Sequence, residues 1–205
     1  MSSTPIQSQD SVFKRILWLY GLHTLLSNTF LLAGYYLLPE GVLRGTPLTF
    51  VGEVAAKPQG FGAQFGLTLL FNLGLVTVVA VGANLQRVKA FPVGYVIPVV
   101  LGIVGGLVTG TNSYAADDLS RYSALDGMVL GLSIGGVEML AYVIIIASTT
   151  KLGIYQYRSL VDWKPIKVMS LRDVRLSKQE VFCLVVGVLL LILAAYRETV
   201  MAMNL

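Results

Sequence analysis

The sequence predicts an all-α protein, a polytopic transmembrane helical bundle of about five membrane-spanning helices. Three observations carry that reading. The composition is 55% hydrophobic and only 13% charged, with a mean hydropathy of +0.74, far from that of a water-soluble domain. Hydrocarbon about 30 Å thick needs roughly 20 apolar residues of helix, and stretches of that length recur along the chain. The basic residues fall between those stretches and alternate in density from one gap to the next.

Taken in order, residues 1–15 form a cytoplasmic tail and residues 16–203 a single transmembrane domain. The first span, 16–38, follows Lys14 and Arg15 as the core of a signal peptide would. Its apolar stretch is too long for one and no small-x-small cleavage site follows, so it is expected to be retained as an anchor. Residues 39–60 carry Gly, Pro and an apolar middle and are expected to dip into the outer interface. Spans follow near 61–83, 91–113, 127–150 and 181–203.

One side of the membrane receives Lys14, Arg15, Arg87, Lys89, Lys151, Arg158, Lys164, Lys167, Arg172, Arg175 and Lys178. The other receives Arg44, Lys57, Arg121 and Arg197. This imbalance predicts a cytoplasmic N-terminus and an external C-terminus. It also explains the net charge of +4 without a nucleic-acid partner. The long basic loop 151–180 mixes its cations with Tyr155, Tyr157, Trp163 and Met169. Such a segment belongs at the inner headgroup surface in contact with anionic lipid; the alternative is a docking surface for a cytoplasmic protein.

Glycine is spaced rather than scattered. Gly102, Gly106 and Gly110 recur every fourth residue of the third span, and Gly127, Gly131 and Gly135 do the same in the fourth. Faces without Cβ atoms let helix backbones approach closely, so these predict packing seams, within the chain or toward another protein. At mid-depth stand Glu138 in span four, Asn72 in span two and Asn28 in span one, with His23 about a turn away. A charge at the bilayer centre costs roughly 2.5 to 3.5 kcal/mol, so such side chains are expected to turn inward and meet as one polar cluster. Glu138 would then be neutral, a hydrogen-bond donor acting as a clasp or as part of a proton or ion relay.

Catalytic and cofactor patterns are sparse. The run Gly131–Leu132–Ser133–Ile134–Gly135 matches the hydrolase elbow G-x-S-x-G, but it falls inside an apolar helix rather than at a strand-to-helix turn. His23, the one histidine, is expected at a different depth from Ser133. No phosphate loop, H-E-x-x-H or dinucleotide fingerprint occurs. One histidine and one cysteine, Cys183, cannot build a tetrahedral metal site, so no cofactor is expected. Asp117, Asp118, Arg121 and Asp126 read as a solvated outer turn.

Residues 135–153, GGVEMLAYVIIIASTTKLG, resemble the signature helix of the stage II sporulation protein M family. Gly135, Glu138, Ala141 and the run Lys151, Leu152, Gly153 fall on its motif positions. Asn72 and Glu198 are similar to an asparagine of an earlier helix and a glutamate near the end of the last. The family commonly has Pro-His before that glycine, where this chain has Ser133 and Ile134. The resemblance implies a non-enzymatic multi-pass protein of a prokaryotic cytoplasmic or internal membrane. Together the observations predict a scaffold or accessory subunit that binds other membrane proteins through its glycine faces. The alternative is a transporter or permease subunit with Glu138 lining an ion or substrate path; Pro92 and Pro98, as helix interruptions in span three, would favour it.

Overall fold

The computed structural model describes residues 11–49, 60–113, 123–159, 161, 162 and 164–203. The expected outer-loop charges Lys57, Asp117, Asp118 and Arg121, the interfacial Trp163 and most of the N-terminal tail lie outside these residues. Helix α1 spans Val12–Leu37, with the Ser11 hydroxyl accepting from the Lys14 amide at its start. Helix α2 spans Phe61–Asn84 and widens to a π-helical stretch over Leu70–Thr77. Helix α3, Val96–Gly110, follows a single 3-10 turn, Val93–Tyr95. Helices α4, Ala124–Leu130, and α5, Gly136–Thr149, are joined by the π-helical turn Gly131–Gly135. Helix α6 spans Lys178–Met203.

Four of these helical runs are long and apolar enough to cross a membrane, and α4 with α5, bent by 51°, supplies a fifth crossing when counted as one span. The protein is therefore a polytopic helical membrane protein. The interruptions lie elsewhere than expected. Pro92 precedes the third span, and Pro98 sits in the first turn of α3, where a missing N–H breaks no helical hydrogen bond. Spans two and four are the irregular ones. The G-x-S-x-G run is not within a regular helix but is itself the π-helical turn.

A small sheet, absent from the all-α expectation, closes one end of the bundle. Strands β1 (Gln86–Val88), β2 (Phe91–Pro92), β3 (Tyr155–Tyr157) and β4 (Ile166–Lys167) lie in the order β2-β1-β3-β4. β1 and β3 run parallel, pairing Gln86 with Tyr155 and Val88 with Tyr157. The physical reason is local: α2 and α5 end side by side, and the chain leaving each has backbone groups that need partners. The Leu85 carbonyl accepts from the Ile154 and Tyr155 amides at 2.8 and 2.9 Å, tying the two exits together. Lys89, at φ +55°, closes the tight β1–β2 turn.

Packing is closest within two groups of helices, which α1 joins by packing Leu19 on α5. α1 and α3 run parallel from the sheet end, and the glycines of α3 press on α1. A Cβ at Gly102 would lie 3.0 Å from the His23 carbonyl oxygen, and Cβ atoms at Gly106 and Gly110 would overlap the backbone at Ser27 and Leu31. The third-span seam is thus consumed within the chain. The fourth-span series behaves differently: Gly127 touches Leu31 and Thr109, whereas Gly131 and Gly135 meet nothing. The π turn adds a residue to the helical repeat there, so positions four apart no longer share a face.

The second group is α2, α5 and α6. Helix α5 is buried at every residue from Ala141 to Thr149, which suits its apolar sequence on all sides. Gly187 of α6 packs directly on Ile144 and Ile145, and Phe61 and Phe65 of α2 meet Tyr196 edge-on near the other end of α6. Asn84, fully buried, donates to the Ile146 carbonyl and the Thr149 hydroxyl, both at 2.8 Å. Asn84→Leu is expected to leave those acceptors unpaired and lower stability by roughly 1 to 3 kcal/mol, read as the thermal midpoint in detergent.

At the end away from the sheet, the turns after α1 and α3 clasp each other. The Gly41 amide donates to the Thr111 carbonyl at 2.7 Å, Asn112 Nδ2 to Glu40 at 2.7 Å, and Arg44 Nη2 to the Asn112 carbonyl at 3.0 Å. Gly41 and Asn112 take positive φ to make this fit.

Candidate functional site

Two concentrations of buried polar groups stand out, one within the second helical group and one at the sheet end. The first begins with α2. Gln64, Thr68 and Asn72 recur every fourth residue and are all buried, Thr68 and Asn72 at 5% and 7% exposure. The helix that the first part of α2 packs on is α6. Among the described residues Thr68 Oγ1 and Asn72 Nδ2 have no hydrogen-bond partner. Orphaned polar atoms are rare in folded proteins and costly in hydrocarbon, so a run of them marks a place where water or a polar ligand is to be met.

Two carboxylates lie on the other helices of this group, α5 and α6. Glu138, in the first turn of α5, accepts from the Tyr142 hydroxyl at 2.9 Å. Glu198 of α6 is close enough to interact electrostatically with both Glu138 and Tyr142. The neighbouring Arg197 donates to the Ser133 carbonyl, a backbone group at the π-helical turn. Both π-helical segments, Leu70–Thr77 and Gly131–Gly135, therefore adjoin this region. Such segments recur at functional sites because they free backbone carbonyls from the regular ladder. Two carboxylates, a phenol and loosened carbonyls together offer acceptors for a proton or a small cation.

The expected four-residue cluster is not what forms. Among the described residues no hydrogen bond joins Glu138, Asn72, Asn28 and His23 to one another. His23 Nδ1 donates to the Pro98 carbonyl at 2.9 Å, and Asn28 Nδ2 to the Thr24 carbonyl of its own helix at 3.0 Å. Both serve the α1–α3 pair. Asn72 stays with the second group, where its carbonyl accepts from Thr77 at 2.8 Å. Position along a span does not fix the rotation of a helix about its axis, and it is rotation that sends His23 and Asn28 to the α1–α3 pair. Gln64, Thr68, Tyr142 and Glu198 complete the region, and the spacing of Gln64, Thr68 and Asn72 at i, i+4 and i+8 was the signal that could have found the first two.

The second concentration is an ion-pair network at the sheet end. Glu180, 2% exposed, accepts from Arg15 at 2.7 Å through one oxygen and pairs with Lys151 at 2.9 Å through the other. The second oxygen also accepts from the Ser177 amide and hydroxyl. Arg15, 6% exposed, donates to the Thr150 hydroxyl as well, and Arg87 donates to the Thr150 carbonyl. One carboxylate thus gathers α1, α6 and the turn after α5. Neither Arg15 nor Glu180 was expected as a site residue, since each reads as a boundary charge in sequence.

No protein-family model, curated protein or solved structure matches the chain. Among the described residues no group of three or more His, Cys, Asp or Glu side chains is arranged to hold a metal ion.

Proposed function

We propose that this protein is a non-enzymatic multi-pass transporter or permease subunit, in which Glu138 and Glu198 exchange a proton or small cation along a polar path between α2, α5 and α6. The observation that carries this reading is the buried face of Gln64, Thr68 and Asn72, with two orphaned polar atoms, in the same helical group as the carboxylates. The charge asymmetry supports a cytoplasmic sheet end and an external far end, in a prokaryotic cytoplasmic or internal membrane. The resemblance of residues 135–153 to the stage II sporulation protein M family supports a multi-pass protein without catalysis. On this reading the basic sheet and loop rest on anionic lipid.

The test is flux in proteoliposomes. Wild-type protein is expected to dissipate an imposed proton or cation gradient, and both Glu138→Gln and Glu138→Ala to slow it by about tenfold or more, the least that loss of an obligatory relay group produces. Flux equal to that of empty liposomes, or full activity in Glu138→Gln, would reject transport through this residue.

The scaffold or accessory subunit, which the sequence alone favours over transport, is the second reading here, and one observation favours it. Gly62 and Gly66 of α2 lie four apart, exposed and touching nothing, and offer a close-packing face to another membrane protein. Stable partners after purification in mild detergent, lost in Gly66→Leu, would support it.

A further inference from the structure

Between the polar path and the sheet end lies a dry plug. Val143, Ile146 and Ala147 of α5 pack with Leu19, Ala80 and Cys183, all buried. Directly below, two cations are held by one anion, Arg15 and Lys151 on Glu180, and a third, Arg87, is bound to the Thr150 carbonyl beside them. Arg15 and Arg87 repel one another, and the Nε of each has no partner among the described residues. We infer that Glu180 is the latch of an inner gate, and that this structure is the inner-closed state of the path. This rests on the transport reading above.

The charge balance sets the direction of the effect. With Glu180 ionised and in place, its two oxygens hold α6 against α1 and the turn after α5. With the carboxylate neutralised or withdrawn, Arg15, Arg87 and Lys151 face one another without an anion, and repulsion drives the first turns of α6 outward. The part of α6 beyond Gly187 is held differently, by close contact with Ile144 and Ile145 and by the rings of Phe61 and Phe65 around Tyr196. Gly187 is therefore the natural pivot, and the moving segment carries Cys183 out of the plug. A binding event at Glu138 reaches the latch through α5, which runs directly into the turn that supplies Thr150 and Lys151 to the network.

Cys183 is the only cysteine in the chain and is 4% exposed, so the protein contains its own reporter. The experiment is the labelling rate of Cys183 by a charged, membrane-impermeant maleimide applied to the sheet-end face of reconstituted full-length protein. Wild type is expected to label slowly. Glu180→Gln is expected to label about tenfold faster or more, because losing a buried pair shifts a closed–open equilibrium by at least that factor. Should Glu180→Gln fail to fold, the double substitution Arg15→Gln with Glu180→Gln removes the buried cation that would be stranded and is expected to label faster as well, because the tie of α6 to α1 and Lys151 is gone while Arg87 and Lys151 stay without an anion. Glu138→Gln, roughly 18 Å from the latch at 1.5 Å per residue, is expected to change the Cys183 rate by about threefold or more, which a local staple would not show. Unchanged labelling in the Glu180 variants, or faster labelling there with no response to Glu138→Gln, overturns the gate. If flux depends on Glu138 and labelling is blind to it, the gate alone falls. If flux is absent throughout, the transport reading falls first.

Discussion

Gly110→Val should abolish the assembled bundle, whereas Gly105→Val on the same helix should be silent. A Cβ at Gly110 would overlap the Leu31 carbonyl of α1, and the obstacle is backbone on a continuous helix rather than a flexible side-chain tip. The two helices can accommodate it only by separating. Separation also removes the contacts at Gly102 and Gly106, since all three glycines press on one face of α1. Overpacking typically costs 1 to 3 kcal/mol, and a rigid backbone clash belongs at or above the top of that range. Gly105 has nothing within 4 Å of the same construction, so its substitution should shift stability by less than about 0.5 kcal/mol. Thermal unfolding in detergent, followed by size-exclusion elution, measures both.

Glu180→Ala is expected to have the next largest effect, and for an electrostatic reason. It strips the anion from Arg15, which is too deeply buried to recover its hydration. Breaking a buried pair from one side costs about 3 to 5 kcal/mol because a charge is left uncompensated. The companion Lys151 is 26% exposed, so Lys151→Ala removes a contact screened by solvent and should cost less than about 1 kcal/mol. The double substitution Arg15→Met with Glu180→Met should recover most of the loss, since two apolar side chains fill the site without a stranded charge. A double-mutant cycle on the thermal midpoints separates the pair term from packing. Equal losses in Glu180→Ala and the double variant would show that volume, not charge, matters there.

Much of the fold was legible in the sequence because its strongest signals are one-dimensional. Span length follows from hydrocarbon thickness, and the glycine period of residues 102–110 announces a close helix contact whatever the partner. Glu138 was conspicuous for the same reason, as a carboxylate in an apolar run. What escaped depends on the third dimension. Arg15 and Glu180 are 165 positions apart, and nothing in either neighbourhood names the other. The sheet comes from residues such as Gln86–Val88 and Tyr155–Tyr157 that look like ordinary basic loop until α2 and α5 end together. Depth alone groups His23 and Asn28 with Glu138, yet rotation of α1 turns His23 toward Pro98. The π turn at Gly131–Gly135 is hidden in sequence because glycine is frequent in membrane helices and does not by itself mark a break.

The Gln64–Thr68–Asn72 face of α2 is buried in the protein, and if it lines a path it meets water rather than acyl chains. Site-directed spin labelling in a Cys183→Ser background tests it, with cysteines placed singly at Thr68, Asn72, Leu70 and Val78. Leu70 and Val78 are well exposed on the opposite faces of α2. In bilayers, labels at those two positions should be relaxed by oxygen dissolved in the lipid. Labels at Thr68 and Asn72 should be shielded from oxygen and relaxed instead by a water-soluble nickel complex added from the far end. Oxygen accessibility at Thr68 and Asn72 equal to that at Leu70 would contradict the account, because the polar face would then be bathed in lipid and no path would exist beside Glu138.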